Sequence, residues 1–275
     1  MSLCIVTAFL DISRGDWQAF QRSTRKYIDN FLFYRKLNHE IIVFMDDKCT
    51  EELKTLTVSW DKLTVIPINR EWMKENIYAY KSLQREQEIM DSPKFKEMVK
   101  HRLHHPECCK AEYNIIQHSK IDFVCYAIRE KLSTADYYAW SDFGYFQHPG
   151  LVPQSDLDLN KFDLERINFI GVNPIRREDF NIMYTLTQAP SRIEGGFCLG
   201  HKDKLLEYQE LYHVVCQFFH SNDIVDDDQH IIIQCYLRSP SKFRFLVTSA
   251  MSSTFLFFQK NSELLNCGTI LTKIR

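Results

Sequence analysis

The sequence predicts an α/β protein, a sheet covered by helices on both faces and formed by one domain of 275 residues. Three observations predict it. Short β-rich runs alternate with longer stretches in which apolar residues recur at i, i+3 and i+4. The first 70 residues alone run β-α-β-α-β, an alternation that builds parallel strands joined by right-handed crossovers. No internal repeat, low-complexity tract or Pro/Gly/Ser-rich linker divides the chain, so a single domain over 1–275 is the economical arrangement.

Residues 3–10 (LCIVTAFL) form a buried strand. A helix is expected from Asp16, with Trp17, Phe20, Tyr27, Ile28 and Phe31 on one stripe. Residues 39–45 (HEIIVFM) make a second strand that ends in an Asp46-Asp47 turn. A short helix follows at 50–56, and a third strand at 63–68. Residues 71–105 are polar and helical in pieces, broken at Pro93, and 113–132 carry one helical stripe. Strands are expected at 137–146, interrupted by polar residues, and at 167–172 and 193–199. Helices follow at 202–220 and 226–236, then a strand at 243–248.

Hydrophobic residues at 45% and charged residues at 25% supply a sizeable core and exclude a disordered or fibrous chain. Eight glycines are too few for glycine-rich phosphate cradles to be expected. Lys and Arg (34) nearly balance Asp and Glu (36), whereas a protein devoted to nucleic acid would be basic, so no nucleic-acid partner is expected. The N-terminus has no secretory character and no stretch reaches a membrane-spanning length. Nine scattered cysteines then fit reduced thiols in the cytoplasm.

In open α/β sheets, ligands lie beyond the carboxyl ends of the strands, so polar residues there are the first candidates. Thr7-Ala8-Phe9-Leu10-Asp11-Ile12-Ser13-Arg14 runs from a strand into a carboxylate and a guanidinium, suited to a nucleoside and a phosphate or to a capped, solvated turn. Trp140-Ser141-Asp142-Phe143-Gly144 sets one carboxylate beyond a strand, in an Asp-x-Gly pattern where metal-using nucleotide-sugar enzymes carry Asp-x-Asp. Glu194-Gly195-Gly196 suggests either close approach of backbone to a ligand or a tight bend. Asp226-Asp227-Asp228-Gln229 opens a helix, where carboxylates serve as caps and also as general bases. His101, His104, His105, Cys108 and Cys109 are zinc-compatible types at non-zinc spacing. Gly-x-Ser-x-Gly, His-Glu-x-x-His and Gly-x-Gly-x-x-Gly are absent, which disfavours α/β-hydrolases, zincins and dinucleotide dehydrogenases.

Taken in order, the opening VTAFLDISRGDW, Tyr113-Asn114 with Ser119-Lys120, the Trp140–Gly144 strand, Gly195-Gly196 and Asp227-Asp228-Gln229 resemble the HtrL/YibB family of bacterial glycosyltransferase-like proteins. The resemblance spans residues 3–235 and implies a GT-A-like fold, a Rossmann-type mixed sheet flanked by helices. It implies a nucleotide-sugar-binding half over about 1–145 and an acceptor-binding half over about 146–275. It also implies transfer of a sugar from a nucleotide donor to a glycan, glycolipid or lipopolysaccharide-type acceptor. Carried over, Thr7, Ala8 and Asp11 line the nucleoside, and Arg14 and Lys120 face the diphosphate. Asn114, Trp140, Gly144, Gly195 and Gly196 complete the donor site. Asp142 is the expected ligand of a divalent cation, Mn²⁺ or Mg²⁺, although Gly144 replaces the second carboxylate; Lys120 and Arg14 acting without metal is the alternative.

Inverting transfer needs a general base, for which Asp227 or Asp228 stands ready, while in retaining transfer Gln229 would sit beneath the anomeric carbon. Two other readings stay open: a metal-dependent phosphohydrolase or nucleotidyltransferase, and a non-catalytic nucleotide- or glycan-binding module. Peripheral membrane contact stays open through the Phe-rich residues 255–258, for which a core strand is the preferred reading.

Overall fold

The computed structural model describes residues 1–147 and 156–247. The Phe-rich segment 255–258, Cys267 and the last residue of the strand expected at 243–248 lie outside the described residues. One sheet of seven strands organises the rest: β1 (Leu3–Phe9), β2 (Glu40–Asp46), β3 (Leu63–Ile68), β4 (Tyr137–Ser141), β5 (Ile167–Gly171), β6 (Ile193–His201) and β7 (Phe243–Val247). Their spatial order is β3-β2-β1-β4-β6-β5-β7.

The first four strands are parallel neighbours, as the βαβ alternation requires. β6 departs from that pattern: it runs antiparallel to both β4 and β5, while β7 returns parallel to β5. The sheet is therefore mixed, the arrangement implied by the GT-A-like resemblance. Strand direction leaves no trace in a segment buried on both faces, because the residues are apolar whichever way it runs.

Side chains alternate between two cores, as the pleat dictates. Cys4 and Val6 of β1 pack with Ile42 and Phe44 of β2 on one face, while Leu3 and Ile5 pack with Ile41 and Val43 on the other. The first core is closed by α8 (Lys120–Arg129), α10 (Lys202–Ser221) and α11 (Asp228–Arg238). The second is closed by α1 (Thr24–Phe31), where Phe31 stacks on Phe143 at 4.5 Å.

Three helices begin or break elsewhere than the periodicity suggests. The helix expected at Asp16 starts at Thr24, after a 3-10 turn at Arg14–Asp16 and an irregular segment. Ser13 and Phe20 there adopt positive φ of 57° and 59°, which no helix continues. Ser23 then caps α1 by accepting from the Lys26 amide. The stripe expected over 113–132 is divided into α7 (Ala111–His118) and α8; the Ser119 hydroxyl at the join donates to the Ile115 carbonyl, a bond that bends helices. α11 opens at Asp228 because Asp227 is its cap, accepting from the Gln229 amide. Between β3 and α7 lie α3 (Arg70–Asn76), α4 (Leu83–Asp91), α5 (Pro93–Met98) and α6 (Pro106–Cys109). Pro93 takes the first position of α5, where its missing N–H costs nothing.

Candidate functional site

The chain order reverses between β1 and β4: β2 and β3 extend the sheet to one side of β1, and β4 lies on the other. A crevice outside the carboxyl ends of the strands is the expected ligand site at such a point. There a cavity of about 510 Å³ opens, bounded by Ala8 and Asp11 after β1, Trp140, Asp142 and Gly144 at the end of β4, Gly195 and Gly196 of β6, and Asp227–Gln229 at the head of α11.

Lys120 is the centre of its charge network. The ammonium, carried on the first residue of α8, donates to Asp228 Oδ2 at 2.8 Å and to the Gly195 carbonyl at 3.0 Å, and lies 3.1 Å from Asp142 Oδ1. Burial alone would lower its pKa, but the Asp142 and Asp228 carboxylates outweigh burial and hold it well above the usual lysine range. Asp142 follows the last residue of β4, and its Oδ1 also accepts from the Trp140 indole N–H at 2.8 Å. Its backbone is held by the Gly196 carbonyl and by the Tyr34 hydroxyl.

The paired glycines make room for these carboxylates. A Cβ on Gly195 would stand 2.6 Å from Asp228 Oδ1, and one on Gly196 would meet the Tyr145 ring at 3.1 Å and Asp142 Oδ2 at 3.3 Å. Gly144 is equally confined, its would-be Cβ 2.8 Å from the Tyr27 ring.

Arg14 projects from the loop after β1. It donates to the Phe20 carbonyl at 2.9 Å and the Tyr27 hydroxyl at 3.0 Å, with its guanidinium near the rings of Trp17 and Tyr113. Asp11 shapes the same loop, accepting from the Ser13 amide at 2.8 Å and the Thr24 hydroxyl at 3.3 Å. The Asp46-Asp47 pair forms no turn: Asp46 ends β2, accepts from the Asp11 amide at 3.0 Å and caps α2 (Asp47–Leu56).

At α11, burial first and then the neighbouring Asp226 and Asp228 charges push Asp227 up to about 7. Burial raises Asp228 as well, against the pull of Lys120. Asp226 pairs with His230 Nδ1 at 2.6 Å; burial opposes protonation of that ring, but Asp226 carries its pKa to about 9.

A fully buried Thr7 and a fully buried Asn114 take no part in the cavity wall, Asn114 donating instead to the Glu107 carbonyl. The other sequence candidates do line it: Ala8, Asp11, Arg14, Lys120, Trp140, Asp142, Gly144, Gly195, Gly196, Asp227, Asp228 and Gln229. A family model described as "Bacterial protein of unknown function (HtrL_YibB)" matches residues 1–259. The chain belongs to the HtrL_YibB family.

Protein HtrL of Escherichia coli (strain K12) is 26% identical over 276 aligned residues, covering 95% of this chain and 94% of that protein. Among solved structures, the crystal structure of mouse xyloside xylosyltransferase 1 in its apo form aligns with 89% of this chain and 84% of its own. The TM-score is 0.45 and the sequence identity 11%.

In this HtrL_YibB chain the cavity wall also includes residues that motif reading passed over: Arg22, Tyr27, Gln117 and Tyr145. Arg22 was hidden by the helix expected from Asp16, since it lies in the irregular segment before α1, and Tyr27, which is on α1, was taken for a residue of that helix's apolar stripe. Gln117 had a signal, standing inside the Tyr113–Lys120 segment. Among the described residues, one group of His, Cys and carboxylate side chains brings metal-ligand atoms within 4.8 Å of one another: Asp226, Asp227 and His230. Those atoms already bond to each other and to the start of α11. The zinc-compatible stretch is not gathered; His101 bonds to the Thr187 carbonyl and Cys109 to the His105 carbonyl. The eight described cysteines are all free thiols. No helix among the described residues is long and apolar enough to cross a membrane.

Proposed function

We propose that the chain is a cytoplasmic glycosyltransferase of polysaccharide biosynthesis, moving a sugar from a nucleotide donor to a glycan or glycolipid acceptor. Residues 1–145 form the donor half and 146–275 the acceptor half. One observation carries the reading. At the reversal point of the sheet, a single cavity gathers an anion-binding side (Arg14, Arg22, Lys120) and a carboxylate whose pKa is raised to about 7 (Asp227). Transfer from a diphosphate needs both, a positive environment for the leaving group and a base for the incoming hydroxyl.

The acceptor hydroxyl oxygen forms the new bond to the anomeric carbon while the carbon–oxygen bond to the diphosphate breaks. The diphosphate departs with the electron pair, and the hydroxyl proton passes to an Asp227 carboxylate oxygen. Asp227 is preferred to Asp228 because Asp228 is held by the Lys120 ammonium at 2.8 Å. The loop guanidinium of Arg14 and the Trp17 and Tyr113 rings around it suit a nucleotide's phosphate and base. The divalent cation expected at Asp142 enters no step: Asp142 Oδ1 is engaged by Trp140 and Lys120, and residue 144 supplies no second carboxylate.

Asp142→Ala tests the reading. Its side chain is 40% exposed, so the variant is expected to fold, which its melting temperature checks. Asp142 holds the Lys120 ammonium at 3.1 Å, so with that anchor gone sugar transfer in a nucleotide-sugar screen is expected to fall about a hundredfold. Full activity of the variant would remove Asp142 from the reaction. Release of inorganic phosphate, or transfer of a nucleotide, would replace sugar transfer with phosphohydrolase or nucleotidyltransferase chemistry.

A further inference from the structure

We propose that the cation of this site is built into the chain: the Lys120 ammonium occupies the place between Asp142 and Asp228 that a divalent metal would take, so the protein binds a nucleoside diphosphate without metal. The inference rests on the donor-site reading above and specifies the form of ligand that the site accepts.

Three features of the geometry point to it. An ammonium has three N–H donors, and Lys120 faces three oxygens, those of Asp228 at 2.8 Å, the Gly195 carbonyl at 3.0 Å and Asp142 at 3.1 Å. The coordination is that of a cation site already filled by a side chain. Its stem is fixed at the start of α8, so the charge cannot withdraw without being buried unpaired, which is costly.

The second feature is steric. The residue two beyond Asp142 could not carry a carboxylate in this packing, because a Cβ at Gly144 would fall 2.8 Å from the Tyr27 ring. That ring packs on Phe9 at 5.2 Å between centroids, and its hydroxyl accepts from Arg14. The missing carboxylate is thus excluded by packing, and the aromatic ring excluding it also steadies an arginine of the anion-binding side.

The third feature is the approach of Asp228. It reaches Lys120 only because Gly195 leaves its carboxylate flush against β6, with Oδ1 at 2.6 Å from a would-be Cβ. Lys120, Asp228 and Gly195 are therefore one fitted unit. Arg14 and Arg22 on the same wall add two further positive charges to receive the diphosphate oxygens.

The experiment is titration of the intact protein with UDP, GDP, ADP, CDP and TDP, by calorimetry and by thermal shift, in EDTA and again with Mn²⁺ or Mg²⁺. Wild type is expected to bind one of them in EDTA with an affinity that the cation leaves unchanged. Lys120→Ala opens the place between two carboxylates. It is expected to weaken binding in EDTA by at least about tenfold and to regain affinity with Mn²⁺. The charge-balanced Lys120→Met/Asp228→Asn protein guards against misfolding: it keeps the net charge between Asp142 and residue 228, and is expected to keep binding in EDTA with no response to Mn²⁺. Wild-type binding that appears only with cation overturns this inference and leaves the donor site standing. Undiminished binding by Lys120→Ala in EDTA overturns it too. No binding of any of the five under either condition overturns the donor-site reading and this inference together.

Discussion

Asp227 carries two duties that a single substitution separates. Its Oδ1 caps α11 through the Gln229 amide at 3.0 Å, and the same carboxylate stands on the cavity wall as the proposed base. Asp227→Asn keeps a side-chain oxygen for the cap and removes the base. It is expected to lower kcat about 10²–10⁴-fold with an unchanged melting temperature. Asp227→Ala loses both, and costs about 1 kcal/mol of stability besides. A base works deprotonated, so with Asp227 at about 7 the wild-type rate is expected to rise as pH climbs through neutrality and then level. A pH profile of kcat/KM checks this, and a rising limb that persists unshifted in Asp227→Asn would assign it to another group. At this scale most of the site was legible, because carboxylates and arginines at strand ends declare themselves. Thr7 and Asn114 misled, since polarity in sequence does not distinguish a wall residue from a buried one.

Between β5 and β6 the chain runs through a 3-10 turn at Arg177–Phe180 and α9 (Ile182–Gln188), and this segment is anchored by one buried ion pair. Arg192 meets Asp179 bidentately at 2.8 and 3.0 Å, with Asp179 fully buried. Arg192→Ala strands that carboxylate and is expected to cost about 3–5 kcal/mol in a denaturant titration. Asp179→Asn/Arg192→Met should recover part of the loss, because it leaves no unpaired charge. Elements were legible to different degrees. Strands buried on both faces, such as β1 and β2, announced themselves as apolar runs, and the half-exposed edge strand β3 (Leu63–Ile68) begins and ends where the sequence puts it. The helix expected at Asp16 failed because Trp17 and Phe20 keep helical spacing while the backbone is elsewhere. Phe20 is exposed at positive φ, and the Trp17 ring lies beside the Arg14 guanidinium, which lines the cavity with Tyr113. The break at Ser119 was equally invisible, since its apolar stripe continues across the bend.

For the molecule as a whole, His230 of α11 leads the loss of stability just above neutrality, before the thiols, whose pKa values burial also raises, add to it near pH 9. Folding lifts the pKa of His230 from 6.5 to about 9, so the native state holds this proton more tightly than the unfolded chain. The stabilisation is complete below pH 6.5 and is lost as pH rises through about 9; at its upper limit it amounts to roughly 3 kcal/mol. The melting temperature is therefore expected to fall by a few degrees between pH 7 and 8, below the range in which the thiols contribute, and His230→Gln should flatten that fall. A fall of the same size in the variant would place its source elsewhere. Topology at this scale was half legible. The βαβ alternation predicted the parallel strands, but the direction of β6 depends on where its connection leaves the sheet, which no residue pattern records.

That reversed strand has a consequence for how such a protein can change over time. Because β6 runs against its neighbours, it begins, not ends, beside the cavity, with Ile193, Glu194, Gly195 and Gly196 on the wall. The segment feeding it, residues 172–192, empties directly onto the site through Val172 and Ser191. It is tied to the body by the Asp179–Arg192 clasp. Insertions or exchanges within it would reshape the mouth of the cavity while the β1 loop, Lys120 and Asp142 stay where they are. Selection could then retune one side of the cavity without renegotiating the other, a separation of concerns written into the direction of one strand.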